Sequence, residues 1–311
     1  MTIVIFCLYI VLPIYLLATL FSPQIVRFEQ HFFQCIFVTL FIFYIKNTGS
    51  WASFGTYWPN IFLLVALLAW GKFFYAFGSS IDWKLNLIVF NKAFLIKLTF
   101  IFSSAVALLV YLSFNTKNDG VHLEFPLKNG HYWVVQGGDF KLINHHYPFM
   151  GQRFGLDIVK LSNYYTAFHS PFSETLSNYA IFDEEVYAPC SGEILKVENN
   201  LIDNAIPDKN IDKPMGNNIV LYCDGVTIVL AHLKQHSVLY KKGDVVKKNT
   251  LVARVGNSGN SSEPHLHIHA LKGKHTQEAD LLVDGEGIPI YFQDKRLKRN
   301  SSVILNNENK Q

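Results

Sequence analysis

Three histidines alternate in Glu263-Pro264-His265-Leu266-His267-Ile268-His269. In an extended strand alternate side chains share a face, so the three imidazoles point the same way. Imidazole is the commonest metal ligand, and two or three on one face make half of a zinc site. The run before them, Gly256-Asn257-Ser258-Gly259-Asn260, is turn chemistry that sets where such a strand begins. A polar strand with solvated histidines has the same pattern, so metal chemistry needs further partners from elsewhere in the chain.

The elements that must supply them lie in the second half of the sequence. From about residue 116 onward the chain has ordinary soluble composition and reads as all-β. Short runs such as Tyr132 to Val135, Glu193 to Val197, Asn218 to Tyr222, Val226 to Ala231 and Leu251 to Val255 are separated by turn signals. Those signals include Asn129-Gly130, Gly137-Gly138, Asp224-Gly225 and Lys242-Gly243-Asp244. Leu201 to Met215, with three aspartates and two prolines, reads as a long surface loop. Residues 116–130 read as a linker, 131–295 as the β domain and 296–311 as a disordered polar tail.

Residues 1–115 are unlike this. They are almost wholly apolar and aromatic, and read as a membrane domain of about four helices. The expected spans are Thr2 to Ser22, Phe32 to Ile45 (extended back toward Phe28), Pro59 to Phe77 and Ala93 to Phe114. Trp51, Tyr57, Trp58 and Trp83 stand beside their ends, as interfacial aromatics do. Arg27, Lys84, Lys92 and Lys97 place the first and third loops in the cytoplasm by the positive-inside rule. The expected location is therefore a multi-pass cytoplasmic (inner) membrane protein in contact with the lipid bilayer. Its C-terminal domain faces the periplasm or the exterior.

The net charge is only +3, from 27 Lys and Arg against 24 Asp and Glu. No Gly-rich phosphate loop, basic aromatic stripe or internal repeat stands out, so nucleic acid is not an expected partner. No protein partner is legible. Cys7 and Cys35 fall in expected spans, while Cys190 and Cys223 fall in the β domain, where an oxidising compartment permits a disulfide. Whether they pair is a question of geometry.

Several spaced motifs occur in one order: Gly155-Leu156-Asp157-Ile158; Ala188-Pro189 then Gly192; Gly216-Asn217-Asn218-Ile219-Val220; Ala231-His232-Leu233; Gly243-Asp244; and Gly256-Asn257-Ser258-Gly259 leading to Pro264-His265-Leu266-His267. Over roughly residues 130 to 272 the chain resembles the lysostaphin and LytM-type zinc endopeptidases. The resemblance implies antiparallel sheets with an active-site groove, bound Zn2+, and hydrolysis of peptide bonds in peptidoglycan stems or cross-links. It implies Asp157 and His267 as zinc ligands. It implies His232 and His265 as catalytic residues that orient or deprotonate the metal-bound water and stabilise the oxyanion.

One position departs. Four residues before Asp157 the family has a ligand His, and this chain has Arg153. A guanidinium stays protonated and does not ligate zinc. Asn144-His145-His146, just upstream, offers a replacement, and so does His269, where the family commonly has Glu. His146 is the preferred third ligand, with His145 and His269 as alternatives. If residues 142–147 are extended, only one of the two adjacent histidines can reach the metal. Arg153 could clamp a substrate carboxylate, of which peptidoglycan stems have several. Two functions follow: a membrane-anchored zinc endopeptidase, or a catalytically inactive peptidase-like domain that binds or regulates cell-wall machinery.

Overall fold

The computed structural model describes residues 3–21, 28–78, 120–170 and 174–306, with a few helical positions between 97 and 108. The chain divides into two compact units, one helical and one built from strands.

In the first unit, Ile3–Leu20 is helical throughout, with a π-helical stretch at Cys7–Val11. Phe28–Thr48 and Trp58–Gly78 are helices of 21 residues each. Among the described residues, two helices, Ile3–Leu20 and Trp58–Ala76, are long and apolar enough to cross a membrane by length and composition. The third, Phe28–Thr48, extends past both ends of the run expected at Phe32 to Ile45. The expected fourth span, Ala93 to Phe114, falls largely outside the described residues, as do Trp83, Lys84 and Lys92. Lys72 sits with its ammonium 5.5 Å from the Phe21 ring centroid.

The second unit contains fourteen strands among the described residues. They are β1 (Val121–Leu123), β2 (Gly130–Gln136), β3 (Leu156–Lys160), β4 (Glu185–Tyr187), β5 (Gly192–Glu198), β6 (Asn217–Cys223) and β7 (Val226–Leu233). Then come β8 (Val245–Val246), β9 (Leu251–Arg254), β10 (Leu266–Lys272), β11 (Gly287–Ile288), β12 (Ile290–Phe292), β13 (Lys295–Arg296) and β14 (Ser302–Leu305). The principal sheet runs β14-β2-β3-β10-β7-β6-β5-β8, with β11 also paired to β10. All its pairings are antiparallel. The sequence expectation of an antiparallel β domain therefore holds.

The sheet is buried on both faces at its centre. Leu156, Ile158, Leu266, Ile268, Ala270, Leu230 and Ile219 join the main core on one side. Val220, Val229, Ala231 and Leu271 pack on the other, beneath Leu281 from the π-helical turn Asp280–Asp284. This two-sided burial explains why β6 and β7 read as near-continuous apolar runs and not as simple alternation.

Two boundaries differ from the sequence reading. The expected linker contains β1, which pairs in parallel with β12. The expected disordered tail contains β14, which pairs with β2 through Ser302↔Trp133 and Ile304↔His131. Polar flanks hid both segments, because an edge strand has only one neighbour to bury against. The long loop from Leu201 to Met215 contains no strand, as expected.

Cys190 and Cys223 are disulfide-bonded, with Cα atoms 6.3 Å apart and a sequence separation of 33. The link ties the start of β5 to the end of β6, where a Cβ on Gly192 would meet the Tyr222 carbonyl oxygen at 2.1 Å. Closing a loop of that length stabilises by about 3–4 kcal/mol through the unfolded state. Replacing both cysteines by serine should lower the denaturation free energy by that amount without moving the strands. Chemical denaturation with and without reductant measures it; an unchanged midpoint would contradict the estimate.

Candidate metal centre

The site is built on β10 and the two strands beside it. Leu266, Ile268 and Ala270 turn into the core, so His267 and His269 share the opposite face. His267 lies directly across from Asp157 on β3 and from Ala231 on β7. On β3, Leu156 and Ile158 enter the core, which turns Asp157 to the same face as His267. A bulge between β2 and β3 falls beside Asp157: Val134 pairs with Ile158, and Gln136 with Asp157.

Asp157 is the centre of the cluster. Its Oδ1 lies 2.9 Å from His146 Nε2 and 2.8 Å from His267 Nδ1. His265 Nε2 is 3.7 Å from the same oxygen, and His145 Nε2 is 3.9 Å from Oδ2. Burial alone would raise the Asp157 pKa. The charges of His146 and His265 and the hydrogen bonds from His146 and His267 outweigh it and hold the carboxyl well below its ordinary range. The site thus presents an anion surrounded by imidazoles.

The segment carrying His145 and His146 is a turn, not a strand. Tyr147 N–H donates to the Asn144 carbonyl at 3.2 Å, and Phe149 N–H to the His146 carbonyl at 3.0 Å. Alternation therefore does not apply, and both rings face Asp157, with centroids 4.0 Å apart. They differ in depth: His146 is buried and His145 is exposed. His145, His146 and Asp157 bring ligand atoms within 4.8 Å of one another. His267 makes the stronger third member, because its nitrogen is over 1 Å closer to the carboxylate than that of His145.

Asn144 holds this turn in place and was not singled out as a site residue from sequence. Its amide donates to the carbonyls of Gly138 (2.9 Å), Arg153 (3.1 Å) and Gly155 (3.3 Å), and its Oδ1 accepts from His146 N–H (3.0 Å). An Asn directly before paired histidines was the available signal. Gly155 is a second such residue: a Cβ there would meet His267 Cε1 at 2.9 Å. Arg153 turns away from the carboxylate. Its Nε reaches the Tyr147 carbonyl at 3.4 Å and its guanidinium lies 5.0 Å from the Tyr147 ring centroid.

His232 and His265 stand together on the other side, with ring centroids 4.7 Å apart. His232 has φ +60°, in the left-handed region that bulky residues rarely adopt. It sits where the β6–β7 register shifts, and bulges of this kind re-aim side chains. Its Nδ1 lies 2.9 Å from the Ser258 carbonyl, and His265 Nδ1 lies 2.8 Å from the Glu263 carbonyl. Each carbonyl can only accept, so both Nδ1 atoms carry the proton and both Nε2 atoms present lone pairs. His269 Nδ1 lies 2.8 Å from His267 Nε2.

Two imidazole nitrogens, from His146 and His267, converge on the ionised Asp157 carboxylate. This donor set matches that of a three-ligand catalytic zinc site with an open fourth position. His267 is held well below its ordinary pKa by burial and then by the charge of His146. Burial and the charge of His265 lower His232 to about 3, and burial and the charge of His146 lower His269 to about 3. Neutral histidines keep the lone pairs that a metal or a proton transfer needs.

These shifts make stability pH-dependent. Between pH 6.5 and about 3 the unfolded chain binds protons on His232 and His269 that the folded chain refuses, so stability falls as pH falls. Asp157, depressed when folded, adds a loss in the same direction below its unfolded value. Each histidine contributes a slope of about 1.4 kcal/mol per pH unit within the window. Denaturation of the chain in a chelator should show stability dropping from pH 7 to 4.5. His269→Leu should flatten the slope by about one proton, and a pH-independent midpoint would contradict the assignment.

Residues 178–279 match Peptidase family M23. The match contains His232, His265, His267 and His269; His146 and Asp157 precede it. The chain is similar to the catalytic domain of the antimicrobial peptidase lysostaphin from Staphylococcus simulans, at 23% identity over 30% of this chain and 63% of that one, with a TM-score of 0.25. It is similar to a zinc-containing peptidase from Vibrio cholerae, at 18% identity over 49% of this chain and 37% of that one, with a TM-score of 0.31. It is also similar to the catalytic domain of the prophage-encoded M23 protein EnpA from Enterococcus faecalis, at 20% identity over 39% and 68%, with a TM-score of 0.26. The chain thus spans less than two thirds of the first two structures. No curated protein matches it. The superpositions carry no weight at these scores; the family rests on the sequence match and on the ordered motifs that surround it. Residues 178–279 of the β domain thus match peptidase family M23, and the motifs in and around them resemble those of the lysostaphin and LytM-type peptidases.

Proposed function

We propose that the protein is a membrane-anchored zinc metalloendopeptidase that hydrolyses peptide bonds in peptidoglycan stems or cross-links. The observation that carries the reading is the convergence of His146 Nε2 and His267 Nδ1 on one oxygen of Asp157, with His232 and His265 beside it. His146, Asp157 and His267 would hold the metal. When bound, zinc polarises a scissile carbonyl and lowers the pKa of a bound water toward about 7.

The remaining roles fall to side chains of this chain. His265, with its proton fixed on Nδ1 by the Glu263 carbonyl, offers Nε2 as general base. That nitrogen lies 3.7 Å from the Asp157 carboxylate. His232 is oriented the same way by the Ser258 carbonyl. It accepts a proton before it can donate one to a developing oxyanion. Arg153, cushioned on Tyr147, is a candidate clamp for a substrate carboxylate. The chief argument for an inactive domain was the loss of the first ligand. His146 stands beside Asp157 and the Arg153 side chain is directed at Tyr147, which favours the enzyme over the inactive domain.

The purified chain should bind about one zinc. His146→Ala, Asp157→Ala and His267→Ala should each lower zinc affinity strongly, whereas His145→Ala should have less effect. His232→Ala and His265→Ala should keep zinc and lose hydrolysis of peptidoglycan on the order of 10²-fold or more. Metal analysis paired with a release assay on purified cell walls separates these outcomes. A chain that takes up no zinc at neutral pH sinks the enzyme reading, and zinc loss from the His232 or His265 variant reassigns the roles.

The Ile3–Leu20 and Trp58–Ala76 helices support anchoring, and the Cys190–Cys223 disulfide supports an oxidising compartment. With four spans, loops one and three inside, the β domain lies outside the cytoplasmic membrane. An alkaline phosphatase fusion after Lys117 should be active and a green fluorescent protein fusion dark. The opposite pattern would leave the domain without access to cell-wall substrate.

A further inference from the structure

His269 lies on the same face of β10 as His267, 1% exposed, opposite Val229 of β7. It does not touch Asp157. Its Nδ1 contacts His267 Nε2 at 2.8 Å, on the side of that ring away from the carboxylate. The two rings meet edge to face, with centroids 5.0 Å apart. Its other nitrogen, Nε2, is buried with no hydrogen bond of good geometry, and the Leu281 backbone lies near enough for a weak hydrogen bond to the ring.

We propose that His269 is a positioning residue that receives the His267 Nε2–H and so fixes the tautomer in which His267 Nδ1 is free to ligate the metal. The inference rests on the peptidase reading above. It follows from a proton inventory. With no metal, His267 Nδ1–H donates to Asp157, so His267 Nε2 must accept and His269 Nδ1 must carry a proton. His269 Nε2 is then a bare, buried lone pair, which is the arrangement that leaves it orphaned. When His267 Nδ1 is a ligand, its proton resides on Nε2 and donates to His269 Nδ1. The His269 proton then resides on Nε2, toward the Leu281 backbone. One proton shifts between nitrogens on each ring and none is gained or lost. Metal binding thus converts the arrangement with a bare buried nitrogen into one in which every ring nitrogen has work. A hydrogen-bond acceptor behind a ligating histidine raises its basicity and fixes its orientation.

The test uses the full-length chain, competed for zinc against a chromophoric chelator. His269→Leu should weaken zinc binding by about 10- to 100-fold. His269→Asn places an acceptor oxygen near the position of Nδ1 and should recover most of the loss. Equal loss in both variants would assign His269 to packing or direct ligation. Wild-type affinity in a folded His269→Leu chain would overturn the relay alone, while a wild-type chain that binds no zinc would overturn the peptidase reading and the relay together. Should the leucine variant not fold, ¹⁵N-histidine NMR of the wild-type chain decides. In the zinc-loaded state both His267 and His269 should carry their protons on Nε2. A His269 proton on Nδ1 in that state would overturn the relay.

Discussion

The β domain is organised around one buried carboxylate. Asp157 is almost fully removed from water and ionised, a combination that is costly unless the charge is met by donors of good geometry. His146 and His267 meet it from two different parts of the chain, one a turn and the other the central strand. The sheet register makes this possible, because His267 and Asp157 are direct cross-strand partners. A one-residue slip of β3 against β10 would send Asp157 into the apolar core and Leu156 or Ile158 onto the face that carries the histidines. The two-sided burial of the central strands forbids such a slip.

The second layer of the site consists of buried amides and backbone carbonyls. Asn144 ties the His146 turn to the start of β3, and Asn217 ties the long loop after β5 to the end of β7, donating to the carbonyls of Leu201 and Leu233. Asp203, in that loop, accepts from Asn257 N–H at 2.7 Å and so holds the turn that leads into the histidine strand. Gly216 and Gly259 both have positive φ, and they approach so closely that a Cβ on either would strike backbone. That contact is where the loop closes over the Ser258 carbonyl, which in turn orients His232. Loops supply most of the polar support, and the sheet supplies rigidity, which is the usual division in a site carried on a scaffold.

At Arg153 the side chain does not face the carboxylate. The position four residues before Asp157 is a loop site whose side chain reaches Tyr147 in this chain. The nitrogen facing Asp157 comes instead from a turn eleven residues upstream of it.

The sequence by itself determined the β class of the second domain, the apolar character of the N-terminal half and the residues that the fold gathers around Asp157. Alternation in His265 to His269 and the ordered motifs around Asp157 and His232 were enough to name the residues, because period-2 patterning and turn residues are local properties. Three matters were decided only by tertiary structure. Adjacent His145 and His146 both face Asp157 because Asn144 closes a turn through contacts with residues 138, 153 and 155. Cys190 and Cys223 pair because β5 and β6 are neighbours in the sheet. The strands at 121–123 and 302–305 exist because partners distant in sequence, Ile290–Phe292 and Gly130–Gln136, are there to bond them. In each case the deciding interaction joins residues that local propensity cannot connect, so no window of sequence contains it.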